Sequence, residues 1–272
     1  MKAVFRRRKA SNKWLQRCLR LVLISCLFLS TPVNAEEKAF HFGFKRSVNE
    51  QLPSIAEEGF QSILEQNDSL FLGNTNKKVL YLTFDNGYEN GFTAPILDVL
   101  RSKKVPAAFF VTGHYVEREP ELIKRMVDEG HIIGNHSWSH PDMTTMSDEQ
   151  IRQELQKVKQ AVTNITGKSV MSYLRPPRGI FNDRVLKVSR QEGYISVFWS
   201  LAYKDWEVDK QKGKQYAYQQ IMRQIHPGSI MLIHSVSSDN AAALPDVIDA
   251  VRKMGYEFES LDELMYEKQL HH

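Results

Sequence analysis

The sequence predicts an α/β fold with parallel strands, arranged either as a barrel or as a doubly wound sheet. From residue 77 onward, short β-rich runs alternate seven times with amphipathic stretches, and this alternation implies right-handed crossovers between parallel strands. The 272 residues are 42% hydrophobic and 25% charged, which is the make-up of a globular domain large enough to bury a sizeable core. Hydrophobic periodicity alone does not choose between the two architectures.

The elements follow one another along the chain in a regular order. Strands are predicted at 79–84, 107–111, 131–134, 170–175, 195–200, 230–234 and 256–259. Helices are predicted at 94–101, 121–129, 148–165, 184–192, 215–225 and 241–254. The third helix begins with a capping box of Ser147 and Gln150, and Gly130, Gly193 and Gly255 each follow a helix, as left-handed terminators do. Residues 36–76 are polar and irregular, with one short helix predicted at 54–65.

The N-terminal residues have the pattern of an export signal. Residues 1–20 hold eight Lys and Arg and no acidic residue, an apolar run follows at 21–29, and Val33-Asn34-Ala35 resembles a cleavage site. The pattern predicts a secretory signal peptide over residues 1–35 that is cut after Ala35. An uncleaved membrane anchor is the main alternative, although the apolar run is shorter than the roughly 20 residues that span a bilayer. A lipoprotein cleavage box at 23–26 is the weakest of the three interpretations.

The basic character of the whole chain belongs to this leader. The chain carries 36 Lys and Arg against 32 Asp and Glu, a formal charge of +4. Without residues 1–35 the count becomes 28 against 32, a net charge of −4. We therefore expect no nucleic-acid partner, and no membrane for the mature domain. Cys18 and Cys26, the two cysteines, also lie in the leader, so the mature protein would have neither a disulfide nor a thiol nucleophile.

Polar side chains gather at the carboxyl ends of five predicted strands. They are Asp85 and Asn86, then His136 and His140, Arg175, Asp205, and His234. Each has an ordinary interpretation on its own, as a turn former, a surface cation or a packed histidine. If His136 and His140 lie on one turn of helix, their spacing brings both imidazoles within reach of one metal ion. In parallel α/β folds all five positions lie at one edge of the sheet, where active sites form.

Five short motifs in this order resemble the NodB-type polysaccharide deacetylases, carbohydrate esterase family 4. They are TFDNG at 83–87, HSWSH at 136–140, RPPRG at 175–179, KDW at 204–206 and LIH at 232–234. The FGFK run at 42–45, TFDNGYENG and SLAYKDW look like the delta-lactam-biosynthetic de-N-acetylase branch of that family. The resemblance implies a distorted (β/α) barrel with about seven parallel strands. It would comprise an N-terminal extension at 36–76 and a deacetylase domain at 77–268.

The resemblance also implies roles for the clustered residues. Asp85 matches the general base, which Arg175 holds in place and keeps ionised. His234 matches the proton donor, and Asp205 would raise its basicity by accepting a hydrogen bond. These roles suit amide hydrolysis, which needs an activated water and a proton for the leaving amine.

A metal site is implied by the same resemblance. His136, His140 and Asn86 match the ligands of a divalent metal ion, zinc or similar, that polarises the carbonyl. Most family members have Asp where this chain has Asn86, and an amide oxygen brings no charge to a divalent cation. We therefore expect the metal to be weakly bound, with water or substrate completing its ligands, or to contribute little.

The substrate that the resemblance implies is N-acetylmuramic acid in peptidoglycan glycan strands, in muramic delta-lactam formation of the spore cortex. Candidate contacts to the sugar are Trp138, Trp206, Tyr88 and Pro177. One alternative is an N-acetylglucosamine deacetylase of peptidoglycan or chitin, and another is a non-catalytic cell-wall binding module. The sequence leaves open the oligomeric state and whether the chain also closes the lactam. With the predicted leader, we expect a secreted protein of the cell wall or spore envelope.

Overall fold

The fold is an incomplete barrel of parallel strands with helices on its outside. The computed structural model describes residues 37–47 and 51–270. The predicted signal peptide over residues 1–35 lies outside the described residues and stays a prediction. No helix in the described part of the chain is long and apolar enough to cross a membrane.

Seven parallel strands pair in the order β7-β5-β4-β3-β2-β9-β8, and β10 pairs in parallel with the start of β2. A separate antiparallel pair joins β1 to β6. The strands are β1 (Phe40–His41), β2 (Val79–Asn86), β3 (Ala107–Val111), β4 (Ile132–Asn135), β5 (Tyr173–Leu174), β6 (Ile180–Phe181), β7 (Ile195–Ser196), β8 (Leu201–Ala202), β9 (Ser229–His234) and β10 (Glu257–Phe258). The prediction of a distorted barrel with about seven parallel strands is thus confirmed.

The strand predicted at 195–200 is shorter in the structure, and a second strand follows it. Residues 195–196 form β7 and pair with β5, residues 197–200 lie outside the named strands, and β8 at 201–202, just beyond the predicted range, pairs with β9. These two short strands form opposite ends of the strand order, so the sheet must curve back on itself. Alternation of apolar residues did not reveal the break, because residues 197–200 are all buried like the strands beside them.

The helices agree with the predicted ones to within a few residues, with two additions. They are α1 (Gln61–Gln66), α2 (Thr93–Lys103), α3 (Gly113–Arg118), α4 (Pro120–Asp128), α5 (Asp148–Thr166), α6 (Asp183–Gln191), α7 (Lys214–Met222), α8 (Ser238–Lys253) and α9 (Leu261–Leu270). The capping box of Ser147 and Gln150 forms as predicted. The sequence reading missed α3 and α9, and it placed the start of α1 too early.

The core lies on both sides of the sheet. All eight residues of β2 are buried, as expected for a central strand covered on both faces. One cluster of buried residues lies between the strands and the surrounding helices, and another fills the interior of the barrel around Tyr81, Phe110 and Val197. This packing fixes the carboxyl ends of β2, β4, β5 and β9 relative to one another.

The N-terminal extension packs against the RPPRG turn. Phe42 is fully buried, and its ring stacks on Phe198 at 4.7 Å between centroids. Its backbone N–H donates to the Gly179 carbonyl at 2.8 Å, and the Trp199 indole N–H donates to the Gly43 carbonyl at 2.9 Å. The described part of the extension therefore contributes directly to the edge of the sheet where the predicted site residues lie.

Candidate active site

Asp85 and His234 lie side by side at the carboxyl edge of the sheet. They are partners in the parallel pairing of β2 with β9, and β9 ends at His234. Both line a groove with two lobes, of about 610 and 470 Å³, that share Asp85, His136, His140, Trp206 and His234. The groove lies where parallel α/β folds place their reactive groups.

Arg175 holds Asp85 from inside the barrel. The guanidinium is fully buried, with Nη1 2.7 Å from Asp85 Oδ1 and Nη2 2.9 Å from Thr83 Oγ1. Its Nε donates to the Val197 carbonyl at 3.0 Å, so the cation is fixed by the segment between β7 and β8. Burial raises the pKa of Asp85, but the charge and hydrogen bond of Arg175, together with the nearby His136 and His234, outweigh it, and the net pKa is lowered. Asp85 is therefore ionised and oriented at neutral pH.

Asp205 holds His234 through two of its atoms. Asp205 Oδ1 lies 2.7 Å from His234 Nδ1, and Asp205 Oδ2 accepts the backbone N–H of His234 at 2.8 Å. Asn240 Nδ2 donates to the same Oδ2 at 2.5 Å, and the hydroxyl of Tyr203 donates to Asn240 Oδ1. Burial lowers the pKa of His234, but the charge and hydrogen bond of Asp205, together with the charge of Asp85, outweigh it, so the net pKa is raised. With Nδ1 donating to Asp205, Nε2 is left for the groove.

The two histidines of the HSWSH motif lie on a loop after β4 and not on one turn of helix. Ser137 and His140 both adopt left-handed backbone angles, with φ of 62° and 56°, which a helix does not contain. The loop nevertheless brings the rings of His136 and His140 to 4.8 Å between centroids. Burial lowers the pKa of both, to about 4 for His140, so both imidazoles are neutral at pH 7.

Glu154 supports this loop and was missed in the sequence. It lies on α5, is 7% exposed, and accepts the Ser139 backbone N–H at 2.7 Å and the Ser139 hydroxyl at 3.0 Å. The sequence could have pointed to Glu154, because it is a carboxylate on the apolar face of the helix, between the buried Ile151 and Val158. A charge at such a position needs a partner, and here the partner is the loop that carries both histidines.

The side chains of His136 and His140 are suited to bind a divalent cation, whereas Asn86 does not lie with these two histidines. His136 Nδ1 is 2.7 Å from the Arg175 carbonyl, which only accepts, so the ring's Nε2 has no proton. That Nε2 faces Asp85 Oδ2 at 3.5 Å, and two facing acceptors suit a cation or a water between them.

Asn86 follows Asp85 on β2 and lines neither lobe; its Nδ2 contacts Thr93 and its Oδ1 has no partner. Among the described residues, no group of three His, Cys, Asp or Glu side chains is arranged to hold a metal ion.

Three of the four predicted sugar contacts line the groove. Tyr88 is 44% exposed and Trp206 is 41% exposed, and both line the larger lobe with Trp138. The Trp206 ring lies 5.3 Å from the His234 ring. Pro177 is buried and lines neither lobe, because it forms the interior of the turn that follows Arg175.

The smaller lobe includes two residues that the sequence reading did not assign. Phe44 of the N-terminal extension is 37% exposed, and its ring lies 6.1 Å from that of Trp206. Arg178, exposed on the turn after β5, lines the same lobe together with Gly43. The FGFK and RPPRG motifs contained both residues, but their meeting depends on how the extension packs across the chain.

Comparisons with known proteins agree with this geometry. Residues 72–197 match the polysaccharide deacetylase family model. The chain is 54% identical over 230 residues to peptidoglycan-N-acetylmuramic acid deacetylase PdaA of Bacillus subtilis, covering 85% of this chain and 87% of that protein. The solved structure of Bacillus subtilis PdaA, a family 4 carbohydrate esterase, superimposes with a TM-score of 0.83 and covers 85% of this chain and 98% of that one.

A more distant relative has a different sugar in its name. Peptidoglycan-N-acetylglucosamine deacetylase PgdA of Listeria monocytogenes is 34% identical over 194 residues, which are 71% of this chain and 40% of that protein. The family model match, the incomplete barrel and the identity over most of the chain show that this chain belongs to the polysaccharide deacetylase family, carbohydrate esterase family 4, and is a hydrolytic deacetylase.

Proposed function

We propose that this protein removes the acetyl group from N-acetylmuramic acid residues in peptidoglycan glycan strands and releases acetate. The observation that carries the proposal is that Asp85 and His234 line one groove. Each is held by an oppositely charged partner outside the groove lining, Asp85 by Arg175 and His234 by Asp205. Amide hydrolysis needs a base for water and an acid for the amine at the same time, and pairs tuned in this way supply both. The 54% identity to PdaA supports the choice of sugar.

Asp85 is the general base of the proposed reaction. Its carboxylate takes a proton from a water, and that water's oxygen forms the new bond to the acetyl carbonyl carbon. Arg175 keeps Asp85 ionised and orients Oδ2 toward the groove by binding Oδ1. Since burial would otherwise favour the neutral acid, the base depends on this cation.

His234 is the general acid. As the carbon–nitrogen bond breaks, protonated His234 gives a proton to the nitrogen, so the products are acetate and the free sugar amine. Asp205 stabilises the imidazolium and fixes which ring nitrogen faces the groove. Asn240 orients Asp205 in turn, because it donates to the carboxylate oxygen that also accepts the His234 N–H.

A weakly bound divalent metal ion is the proposed cofactor. His136 and His140 would hold it as neutral nitrogen ligands, and water or substrate would supply the remaining ligands. When bound, such an ion polarises the acetyl carbonyl as a Lewis acid. Asn86 supplies no charge and lies outside both lobes, so affinity rests on the two imidazoles.

Aromatic side chains are the proposed walls for the sugar ring. Trp138, Trp206 and Tyr88 line the groove, and a pyranose presents an apolar face to such rings. Pro177 contributes by fixing the turn rather than by touching substrate.

The biological setting that we propose is the cell wall, reached through the predicted signal peptide over residues 1–35. The amine set free on muramic acid can attack the neighbouring lactyl carboxyl to form a delta-lactam, the modification of the spore cortex. Mass spectrometry of the N-terminus of the exported protein would check the cleavage after Ala35. An intact N-terminus would instead support a membrane anchor.

The alternative within the family is deacetylation of N-acetylglucosamine, the sugar named for the Listeria relative. Peptide-free glycan strands, which contain both sugars, distinguish the two when digested and analysed by mass spectrometry. We expect loss of acetyl from muramic residues with an equal amount of acetate released. Loss of acetyl from glucosamine residues alone would refute our choice of sugar.

A further inference from the structure

The smaller lobe of the groove contains a cation that the hydrolytic reaction does not use. Arg178 lines this lobe together with Asp85, His140 and His234. It is exposed, and among the described residues it forms no ion pair with Asp or Glu. Arg175, three residues earlier, is buried, lines neither lobe and is paired with Asp85. Arg178 therefore gives the lobe one positive charge that no acidic side chain among residues 37–47 and 51–270 neutralises.

The backbone holds Arg178 in one place. Its φ of 58° and ψ of 9° lie in the left-handed region, which is unfavourable for a residue with a Cβ and persists only where the surroundings enforce it. The turn is fixed from both sides, since the Gly179 N–H donates to the Pro176 carbonyl and the Gly179 carbonyl accepts from Phe42. A cation on a rigid turn binds with less loss of conformational freedom than one on a flexible loop.

Gly179 shows how closely this turn is packed. Its φ is 65°, and a Cβ at this position would lie 2.7 Å from the Trp199 ring and 3.2 Å from Phe42 Cβ. The extension and the strand segment after β7 thus press on the turn directly behind Arg178. Its position is therefore set by the fold and not by a surface loop.

We propose that the Arg178 guanidinium binds the lactyl carboxylate of N-acetylmuramic acid and so selects this sugar over N-acetylglucosamine. The inference rests on the proposed function. The two sugars differ only in the lactyl ether on C3, and the acetamido group is on the adjacent carbon C2. When the acetyl group lies against Asp85 and His234, the carboxylate must lie in the same part of the groove, which Arg178 lines.

The chemistry of the two groups is complementary. A guanidinium can donate two parallel N–H bonds to a carboxylate, and such a pair gives geometric specificity as well as attraction. N-acetylglucosamine has a hydroxyl in place of the lactyl ether, so the guanidinium would stay hydrogen-bonded to water when this sugar binds. The selectivity would therefore come from one side chain added to a reaction centre common to both sugars.

The test compares two substrates and three variants. The substrates are peptide-free glycan strands with native lactyl carboxyl groups and the same strands with these groups reduced to alcohols. The variants are Arg178→Gln, Arg178→Lys and, as the matched control, Lys104→Gln. Lys104 is also an exposed cation with left-handed backbone, at φ 51°, but it lines neither lobe.

We expect Arg178→Gln to lower kcat/KM about tenfold on native strands, mainly through a higher KM, because only the pairing with the carboxylate is lost. On carboxyl-reduced strands it should match the wild type. Arg178→Lys should recover part of the loss, since it keeps the charge but not the two-pronged geometry. Lys104→Gln should match the wild type on both.

Two results would contradict the inference in distinguishable ways. If the wild type deacetylates muramic residues but Arg178→Gln loses nothing, or loses equally on both strands, the assignment of Arg178 is wrong and the proposed function stands. If the wild type acts only on glucosamine residues, the proposed function fails, and the role of Arg178 fails with it.

Discussion

Asp205 and Asn240 illustrate how a few buried side chains set the chemistry of one histidine. The Asp205 carboxylate contacts both the ring and the backbone of His234, and Asn240 fixes the carboxylate. The net effect is a raised pKa for His234, beside a lowered pKa for Asp85. In the free enzyme, the acid limb of kcat/KM should therefore lie below the usual carboxyl pKa and the alkaline limb above the usual histidine pKa.

Replacing Asp205 tests whether its carboxylate raises the pKa of His234. Asp205→Asn removes the charge that holds the proton on His234, so the alkaline limb of the pH profile should move to lower pH. We also expect kcat to fall about a hundredfold, because the acid is less protonated and less well oriented. The exposed Asp209→Asn is the matched control and should leave the profile unchanged. An alkaline limb that stays in place would show that Asp205 does not tune His234.

A single substitution at Glu154 tests whether this residue supports the loop that carries His136 and His140. Glu154→Gln keeps an acceptor near Ser139 but removes the charge and one acceptor oxygen. The loop with His136 and His140 should then be less well fixed. We expect kcat to fall about tenfold and the free energy of unfolding to fall by about 1–2 kcal/mol. Glu149→Gln, on the exposed face of the same helix, should change neither.

The N-terminal extension is the element that most changes the groove. Phe42 anchors it under the RPPRG turn, while Phe44, two residues later, faces the groove beside Trp206. Gly43 between them has a left-handed backbone with φ of 64°, so the chain turns here and the two rings do not share one face. One short segment thus contributes a buried anchor and a ring at the groove.

The two phenylalanines should respond differently to the same substitution. Phe42→Ala removes a fully buried ring and should lower the free energy of unfolding by about 3–5 kcal/mol, measured by denaturant titration. Phe44→Ala removes a partly exposed ring, so stability should change by less than about 1 kcal/mol while KM for glycan strands rises. Equal losses of stability in both variants would contradict this division of roles.

The sequence predicted most elements, and its errors have identifiable causes. The break at 197–200 was hidden because the segment stays buried while it moves from one end of the strand order to the other. The i, i+4 spacing of His136 and His140 did not reveal whether they lie on a helix or a loop. The left-handed backbone angles of Ser137 and His140 show that they lie on a loop. Glu154 and Arg178 were overlooked because their roles depend on contacts across the fold.

At the scale of the whole molecule, the barrel brings together groups that are distant in sequence. Asp85 lies on β2, His234 lies on β9 and Arg175 directly follows β5, and the pairing of β2 with β9 sets the first two side by side. Asn86 is instead buried with an unpartnered oxygen outside both lobes. The fold thus brings Asp85, His234 and the two histidines of the loop to one groove and leaves Asn86 outside it.

This arrangement of ligands predicts how the enzyme responds when the metal is removed. With two neutral nitrogen ligands and no carboxylate from position 86, we expect micromolar or weaker zinc affinity and a partial loss of activity on chelation. Relatives with Asp at that position should lose activity more steeply under the same chelator. Titration calorimetry checks the affinity, and tight stoichiometric zinc binding by the full chain would contradict this expectation.

The most direct test of the account is the rate of acetate release from peptide-free glycan strands by wild type and Asp85→Asn. The variant keeps the shape of the side chain but cannot take a proton from water, so we expect a rate at least about a hundredfold lower with unchanged circular dichroism. A folded Asp85→Asn variant that releases acetate from muramic residues at the wild-type rate would contradict it.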